Sequence, residues 1–321
     1  RYLDWSSGVL VANTGHGHPE VVEAIVQAAK KPLLFSYSFA TAERAELLRE
    51  LEPLLPRKDD KVLLLSTGSE AVEVALKLAL THARRTSDGS RRYVVSFDRA
   101  SHGRTAGAQL AGGIPVLKEW LWAVEAPFVN VPFPDGFRTK ETDFDSFTQA
   151  LAAQNVSPDE VATVIVESYQ GGGASFAPVE YMRSLADWCQ QNEVILIMDE
   201  VQSGFGRTGA WFAYEHYGIA PDLVCCGKGI SSSLPLSALI GKRDILDQYS
   251  PGAMSSTHGG HPVCAAAGAA NLRVMRRDGL VENAARVGEI LASGLAAISG
   301  EYACVGALHG KGLVHGMHIV S

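Results

Sequence analysis

The fold is decided by the stretch Val194-Ile195-Leu196-Ile197-Met198-Asp199-Glu200-Val201-Gln202. The five apolar residues at its start are typical of a strand that is buried on both faces. Asp199 stands at the carboxyl end of this predicted strand. Ligands of parallel α/β sheets bind at that edge, and a carboxylate buried there needs a cationic or hydrogen-bonding partner. The stretch therefore predicts a ligand site as well as a strand.

A lysine between two glycines, Lys228, follows the next predicted strand at residues 222–226. A protonated pyridine nitrogen would satisfy Asp199, and Lys228 would supply an amine for a Schiff base. A carboxylate for the ring nitrogen and a lysine for the aldehyde are the two groups that pyridoxal 5'-phosphate (PLP) requires. On these residues alone a second interpretation stays open, in which Asp199 caps a turn and Lys228 is a solvated surface residue.

Further strands and helices alternate along the chain on both sides of this centre. Strands are predicted at residues 61–65, 92–97, 161–167, 239–241 and 313–319, and residues 1–5 read as part of another strand. Helices are predicted at residues 19–29, 42–55, 181–191, 262–276 and 281–298, with one more from about Gly68. This alternation predicts an α/β fold with a largely parallel, doubly wound sheet.

Polar residues follow several of these strands. Thr67-Gly68-Ser69-Glu70 fits a helix capping box, and the exposed N–H groups of such a helix start can also cradle a phosphate. His102-Gly103-Arg104 follows the next strand, and Glu167 ends the one after it. Because the carboxyl ends of parallel strands share one edge, we expect these groups to form one site with Asp199 and Lys228.

The run Gly204-Phe205-Gly206-Arg207-Thr208-Gly209 matches the GxGxxG dinucleotide fingerprint. Fingerprint glycines must form the turn directly after a strand and open a helix. Here residues 200–203 intervene, and Trp211-Phe212 follows. The match is therefore interpreted as coincidental, and no dinucleotide site is predicted.

Composition narrows the class of protein. The 321 residues carry a net charge of -7, which argues against nucleic acid and anionic membranes as partners. No apolar run is long enough for a membrane span. The five cysteines are odd in number and form no CxxC pair, which favours buried thiols in a reducing, cytoplasmic compartment over disulfides or a zinc site.

The order of the motifs resembles the class III (ω-amino acid) aminotransferases, PLP-dependent enzymes of fold type I, over essentially the whole chain. The motifs are most similar to those of 4-aminobutyrate aminotransferases. The resembling segments are Ser7-Gly8-Val9, Asn13-Thr14-Gly15-His16, Thr67-Gly68-Ser69-Glu70-Ala71, His102-Gly103-Arg104-Thr105, the whole run from Asp199 to Gly209, Pro221-Asp222 and Gly227-Lys228-Gly229.

The resemblance implies a mostly parallel seven-stranded sheet with helices on both faces and a small α+β domain built from the two termini. Residues 1–45 would belong to the small domain, residues 46–276 would form the large PLP-binding domain, and residues 277–321 would begin the C-terminal small domain. The family's arginine for the substrate α-carboxylate has no counterpart here, so we expect the sequence to be part of a longer chain.

The resemblance also assigns roles to individual residues. Lys228 and Asp199 would be catalytic, the lysine through a Schiff base to PLP and the aspartate through the ring nitrogen. The other residues implied to contact the cofactor are Gly68 and Ser69 at the phosphate, Ser101 and His102 beside the ring, Val201 on a ring face, Gln202 at the ring hydroxyl, and Thr257 at the phosphate of a partner subunit in a homodimer. Ser101 departs from the family, which usually has a stacked aromatic residue there.

Substrate residues are implied in the same way. Val9, Arg104 and Glu167 would contact the substrate, with Arg104 on a carboxylate distal to the reacting amine. The leading hypothesis is transamination between a 4-aminobutyrate-like donor and a 2-oxo acid through pyridoxamine phosphate. Two alternatives stay open: a PLP-dependent racemase, decarboxylase or lyase on the same scaffold, and a truncated homologue without catalysis.

Overall fold

A seven-stranded sheet forms the centre of the structure, a computed structural model that describes residues 2–254 and 256–320. The strands are β1 (Lys61–Leu65), β2 (Tyr93–Phe97), β3 (Phe128–Val131), β4 (Val161–Glu167), β5 (Ile195–Asp199), β6 (Leu223–Cys226) and β7 (Ser237–Gly241), with a separate hairpin of β8 (Val305–Lys311) and β9 (Val314–Ile319). The α-helices are α1 (Ser7–Leu10), α2 (Pro19–Ala29), α3 (Ala42–Leu51), α4 (Gly68–Thr86), α5 (Ala106–Ala111), α6 (Asp145–Ala153), α7 (Val179–Gln191), α8 (Arg243–Leu246), α9 (Pro262–Arg277) and α10 (Leu280–Glu301).

The strand order is β1-β7-β6-β5-β4-β2-β3, and only β7 runs antiparallel to its neighbours. The carboxyl ends of the other six strands therefore lie at one edge of the sheet. In β4 and β5 the last residues, Glu167 and Asp199, are direct partners in the register. The predicted fold class is confirmed: the sheet is mostly parallel, with helices on both faces.

Alternate residues of the central strands enter two different cores. Leu196 and Met198 of β5 belong to the core beneath α3, α7 and α9, whereas Ile195 and Ile197 belong to the core covered by α4. This is the pattern of a strand buried on both faces, because successive side chains point to opposite sides. Burying one such aliphatic side chain contributes about 1.5–3 kcal/mol to the free energy of folding. The well-packed central strands therefore hold the residues at their carboxyl ends in fixed positions.

Helix α4 begins as the sequence predicts. Thr67 Oγ1 accepts from the backbone N–H of Glu70 at 3.2 Å, and Glu70 Oε2 accepts from the N–H of Thr67 at 3.3 Å. This reciprocal capping box satisfies donors that would otherwise be unpaired at a helix start. It fixes where residues 68 and 69 lie relative to the end of β1.

Besides β3, α1, α5, α6 and α8, which were not predicted, three further details differ from the sequence predictions. The helix predicted at residues 42–55 ends at Leu51, because Pro53 cannot continue the hydrogen-bond ladder. The strand predicted at residues 1–5 is wrong for the described part, where Asp4 accepts from the N–H groups of Ser6 and Gly8 in a turn; Arg1 lies outside the described residues. Strand β8 was not predicted.

The proposed domain boundaries stay predictions. Both fall within helices, the first inside α3 and the second inside α9. Helices α2 and α3 pack against α9, and α10 packs against the β8–β9 hairpin. Across the part of the chain that the structure describes, no helix is both long and apolar enough to cross a membrane.

Candidate active site

A cavity of about 490 Å³ lies where the carboxyl ends of the parallel strands meet. This volume is typical of small-molecule sites, which range from about 300 to 1,000 Å³. The lining residues are Thr67, Gly68, Ser69, Arg99, Ser101, His102, Gly103, Ile114, Glu167, Tyr169, Gly171, Gly172, Asp199, Val201, Gln202 and Lys228. Residues from all five of the predicted strand-end groups are thus brought together, although Arg104 is not among them.

A larger cavity of about 760 Å³ lies at the opposite edge of the sheet, beside the first residues of β5 and β6. Several of its charged side chains are already engaged within the protein: Lys242 pairs with Asp222 at 2.5 Å, and Arg57 donates to two backbone carbonyls. We assign the chemistry to the smaller cavity, because polar groups that lack hydrogen-bond partners among the described residues converge there. The carboxyl ends of the strands also line it, which is where ligands of such sheets bind.

Asp199 is held at the cavity by two hydrogen bonds. Its Oδ2 lies 2.8 Å from His102 Nδ1, and its Oδ1 accepts from the N–H of Val201 at 3.0 Å. The aspartate is 5% exposed and the histidine 3%. Burial lowers the pKa of His102, but the hydrogen bond and negative charge of Asp199 outweigh it, so the pKa lies above its usual value. The raised pKa favours the protonated form of His102 beside Asp199.

Glu167 is a second buried carboxylate at the same edge. It accepts from the N–H groups of Ser101 and Gly171, each at 3.0 Å. Burial raises the pKa of Glu167 to about 7, with the charge of His102 acting in the opposite direction. Within the described residues it makes no ion pair with an arginine.

Lys228 follows β6 and is half-buried at the cavity. No hydrogen bond or ion pair engages its Nζ within the described residues, so the amine is available to a ligand. Its backbone is in the left-handed region, with φ of +38°. Such a conformation costs a non-glycine residue about 1–2 kcal/mol and is concentrated at functional positions.

The start of α4 provides an anion site at one end of the cavity. The capping box uses the N–H groups of Thr67 and Glu70. Gly68 and Ser69 open the helix and line the cavity, and the first N–H groups of a helix have no intrahelical partner. Ser69 Oγ accepts from the N–H of Arg104 at 3.3 Å. A Cβ added to Gly103 would lie 2.3 Å from this hydroxyl, so the loop approaches Ser69 closely only because residue 103 is glycine.

Two features of the cavity fit the ring of PLP. The side chain of Val201 packs closely against the backbone of Gly68, since a Cβ added to Gly68 would lie 2.5 Å from Val201 Cγ1. Two buried polar atoms, His102 Nε2 and Gln202 Oε1, have no hydrogen-bond partner within the described residues. An aromatic cofactor with polar substituents would cover the valine and supply these missing partners. Together with the anion site and the free lysine, the donor set therefore fits PLP.

Three predicted residues lie away from this lining. Arg104 and Thr257 are exposed, and Val9 is 65% exposed within α1, where residues 7–10 all have positive φ. Their substrate and partner-subunit roles stay predictions. Conversely, Arg99 and Tyr169 line the cavity but were not predicted as site residues, although each lies two residues beyond the end of a strand, β2 and β4. Tyr169 is 1% exposed and lines the cavity.

Glu200 fixes the loop behind Asp199. Its two carboxylate oxygens accept from Ser168 and Ser203 hydroxyls and from the N–H groups of Ala213 and Tyr214. The side chain is fully buried, and the segment of residues 201–212 forms turns instead of the helix that a dinucleotide fingerprint requires. The residues of the GxGxxG match thus lie in a loop that is anchored by the hydrogen bonds of Glu200 to Ala213 and Tyr214.

Glu200→Gln is expected to weaken the pH dependence of the melting temperature. Burial raises the pKa of Glu200 to about 7 from 4.5, so the folded protein retains a proton that the unfolded chain releases. The free energy of unfolding therefore falls as pH rises between these values. Melting curves of the cofactor-free protein from about pH 5 to about pH 8 measure this slope. Other groups with shifted pKa values, among them Glu167, Glu215 and His216, would supply the remaining slope. Exposed Glu180→Gln is the control. An unchanged slope would contradict the assignment.

Ser101→Tyr is expected to tighten PLP binding several-fold. Ser101 is exposed at the cavity, and an aromatic stack contributes about 0.5–1.5 kcal/mol beyond area burial. Absorbance titration of the cofactor-free protein gives the dissociation constant. The exposed Ser90→Tyr serves as a control for added aromatic surface. Unchanged or weaker binding would mean that another side chain, such as Tyr169, already covers that face.

A strand-end carboxylate, a glycine-flanked lysine and a helix N-terminus around one cavity define a PLP-dependent enzyme of fold type I. The family model for class-III aminotransferases matches residues 1–321, and the chain belongs to that family. It is a PLP-dependent aminotransferase.

Two relatives and one solved structure illustrate the similarity. The [LysW]-aminoadipate semialdehyde/glutamate semialdehyde transaminase of Sulfurisphaera tokodaii is 37% identical over 99% of this chain and 77% of its own length. The 4-aminobutyrate aminotransferase of Mycobacterium leprae is 34% identical over 100% and 73%. The taurine:2-oxoglutarate aminotransferase of Bifidobacterium kashiwanohense, solved with PLP and glutamate, superposes with a TM-score of 0.90 at 27% identity, covering 100% of this chain and 74% of that one.

Proposed function

We propose that this enzyme transfers an amino group from an ω-amino acid with a terminal carboxylate, such as 4-aminobutyrate, to a 2-oxo acid. The single observation that carries the proposal is the free amine of Lys228 in one cavity with the Asp199–His102 pair. PLP, when bound, supplies an electron-withdrawing ring that makes the Cα–H bond of an attached amine acidic. Two relatives whose names denote terminal-amine or semialdehyde substrates support the donor class.

The residues of the chain divide the work. Gly68 and Ser69 would hold the phosphate through backbone N–H groups at a helix start. Asp199 would offer its carboxylate to the ring nitrogen, Gln202 would bond the ring hydroxyl, and Val201 would pack on one ring face. Lys228 would supply the amine that holds the cofactor aldehyde, and the same amine would serve as the base that takes a proton from the substrate carbon bearing the amino group.

A half-reaction tests this function. PLP-loaded protein mixed with the amino donor alone should convert the cofactor to its amine form, which absorbs at a shorter wavelength, and a 2-oxo acid should reverse the change. A racemase, decarboxylase or lyase would leave the cofactor in its aldehyde form after turnover. Absence of any spectral change with a panel of amines would support a non-catalytic homologue and sink the proposal.

Arg104→Lys is expected to lower kcat/KM for the carboxylated donor more than for an alkylamine of the same length. Arginine presents a planar fork to a carboxylate, which lysine cannot reproduce. The guanidinium of Arg104 is exposed, and no ion pair occupies it within the described residues. Steady-state kinetics with the two donors measures the difference. Equal losses would place Arg104 in the scaffold.

We also propose a homodimer in the cytoplasm. Exposed apolar side chains at Leu33 and Phe39 are 66% and 76% accessible, which favours a buried interface there. Thr257 would reach the phosphate of the partner's cofactor, the role that the resemblance to the class III family implies; its side chain is exposed. All five cysteines are free, as is typical of reducing compartments.

A further inference from the structure

We propose that Arg99 binds the carboxylate of the substrate at the cavity mouth, a role that the sequence assigned to Arg104 alone. The inference rests on the proposed function, because it names the residue that would select carboxylated amines. Arg99 lines the cavity, whereas Arg104 does not. The side chain of Arg99 is exposed, and within the described residues it makes no ion pair.

The charges of the cavity leave this arginine available. Its acidic lining residues are Asp199 and Glu167, and its basic ones are Lys228, His102 and Arg99. His102 is hydrogen-bonded to Asp199, and Lys228 is committed to the cofactor in the proposed function. Arg99 is therefore the one lining cation free for a substrate anion among the described residues. Ile114 lines the cavity too, and its apolar surface suits a methylene chain.

The backbone holds residue 99 in a fixed, strained conformation. Its φ is +66°, in the left-handed region, which costs a side chain other than glycine about 1–2 kcal/mol. The N–H of Arg99 donates to the carbonyl of Gly113 at 2.8 Å, and the N–H of Gly113 donates to Ala100 at 2.9 Å. A Cβ on Gly113 would lie 2.4 Å from the nitrogen of Arg99, so this close approach requires glycine.

This conformation gives the proposal a sharp test. Glycine adopts positive φ without cost, so Arg99→Gly removes the guanidinium and relieves the strain together. The expected result is a melting temperature equal to or above that of the wild type, with a kcat/KM for 4-aminobutyrate lowered roughly 10- to 100-fold, the size expected for hydrogen bonds to charged groups. The loss should lie mainly in KM, and kcat/KM for butylamine should stay unchanged.

Two further variants serve as controls. Arg99→Lys keeps the charge but loses the planar fork, so we expect an intermediate loss for the carboxylated donor. Asn155→Gly removes a side chain at another exposed residue of positive φ, 56°, in the turn after α6. It should leave kcat/KM unchanged for both donors. Equal losses for both donors in Arg99→Gly, or no loss in either, would overturn the proposal, even if Arg104→Lys shows the selective loss expected of it.

A binding measurement separates this inference from the proposed function. Glutarate, a dicarboxylate that carries no amine, is titrated against PLP-loaded wild type and Arg99→Gly by calorimetry. We expect binding to weaken roughly 10-fold or more in the variant. Equal affinities would overturn the role of Arg99 even if the enzyme turns over. If the wild type converts no ω-amino acid, the proposed function fails, and the glutarate result still decides whether Arg99 binds carboxylates.

Discussion

Lys228→Ala is expected to abolish transamination, by at least about 10²- to 10⁴-fold, since a positioned proton-transfer group contributes a factor of that size. Lys228 is half-buried at the cavity, and its Nζ is free of partners within the described residues. The buried cations and carboxylates around it are otherwise paired or hydrogen-bonded, so no neighbour replaces its amine. Single-turnover absorbance with PLP and a donor measures the loss.

Three comparisons make the result specific to this lysine. Borohydride reduction followed by peptide mapping should label the peptide that contains Lys228 in the wild type and leave it unlabelled in the variant. Lys242→Ala is the control, because Lys242 pairs with Asp222 at the opposite sheet edge. Small primary amines added to Lys228→Ala should restore part of the proton transfer, which a purely structural defect would not permit. A label on another lysine would refute the assignment.

The backbone of Lys228 adds a second readout. Its φ of +38° strains both lysine and alanine, but not glycine. Lys228→Gly should therefore melt at a higher temperature than Lys228→Ala, while both variants are inactive. This outcome would show that the backbone strain at residue 228 lowers the stability of the native protein, and that the strained backbone is kept where it positions the Lys228 amine.

The central part of the fold could be predicted because its signals are local. Strands β1 and β4 begin and end at the predicted residues, and the capping box at Thr67 is confirmed. Strand β8 gave no such signal, since Gly306 and Gly310 interrupt it and its residues are mostly half-buried. The direction of β7 had a signal: residues 227–236 are too short for the dozen or so residues that a parallel crossover needs.

The candidate site was predictable only in part. The rule that ligands bind at strand carboxyl ends placed Asp199, Lys228 and Glu167 together, and it could also have singled out Arg99, two residues past β2. Side-chain directions and distances are tertiary properties that spacing does not contain. The 2.8 Å contact between His102 and Asp199 joins residues from different strand ends, and the left-handed φ of Arg99 depends on Gly113 across the loop.

Asp199→Asn is expected to leave PLP bound but to slow Cα proton abstraction by on the order of 10²- to 10³-fold, the usual loss for one preorganised electrostatic contact. The negative charge of Asp199 would keep the ring nitrogen protonated, and asparagine has no charge to do so. The isosteric amide retains the shape of the side chain, and its oxygen can still accept from Val201. The half-reaction rate with a saturating donor measures the effect, and a near-normal rate would contradict the proposed role.

The pKa of His102 provides an independent test of the same charge. Burial lowers this pKa, and the hydrogen bond and charge of Asp199 raise it above its usual value. Asp199→Asn removes the two largest contributions that raise this pKa and leaves burial opposed mainly by the charge of Glu167. The imidazole should therefore become neutral at lower pH, as NMR titration of the cofactor-free protein would show. Asp222→Asn is the matched control, because that aspartate accepts from the N–H of Leu196 at the other end of β5. It should affect stability while leaving both the half-reaction and the titration of His102 unchanged.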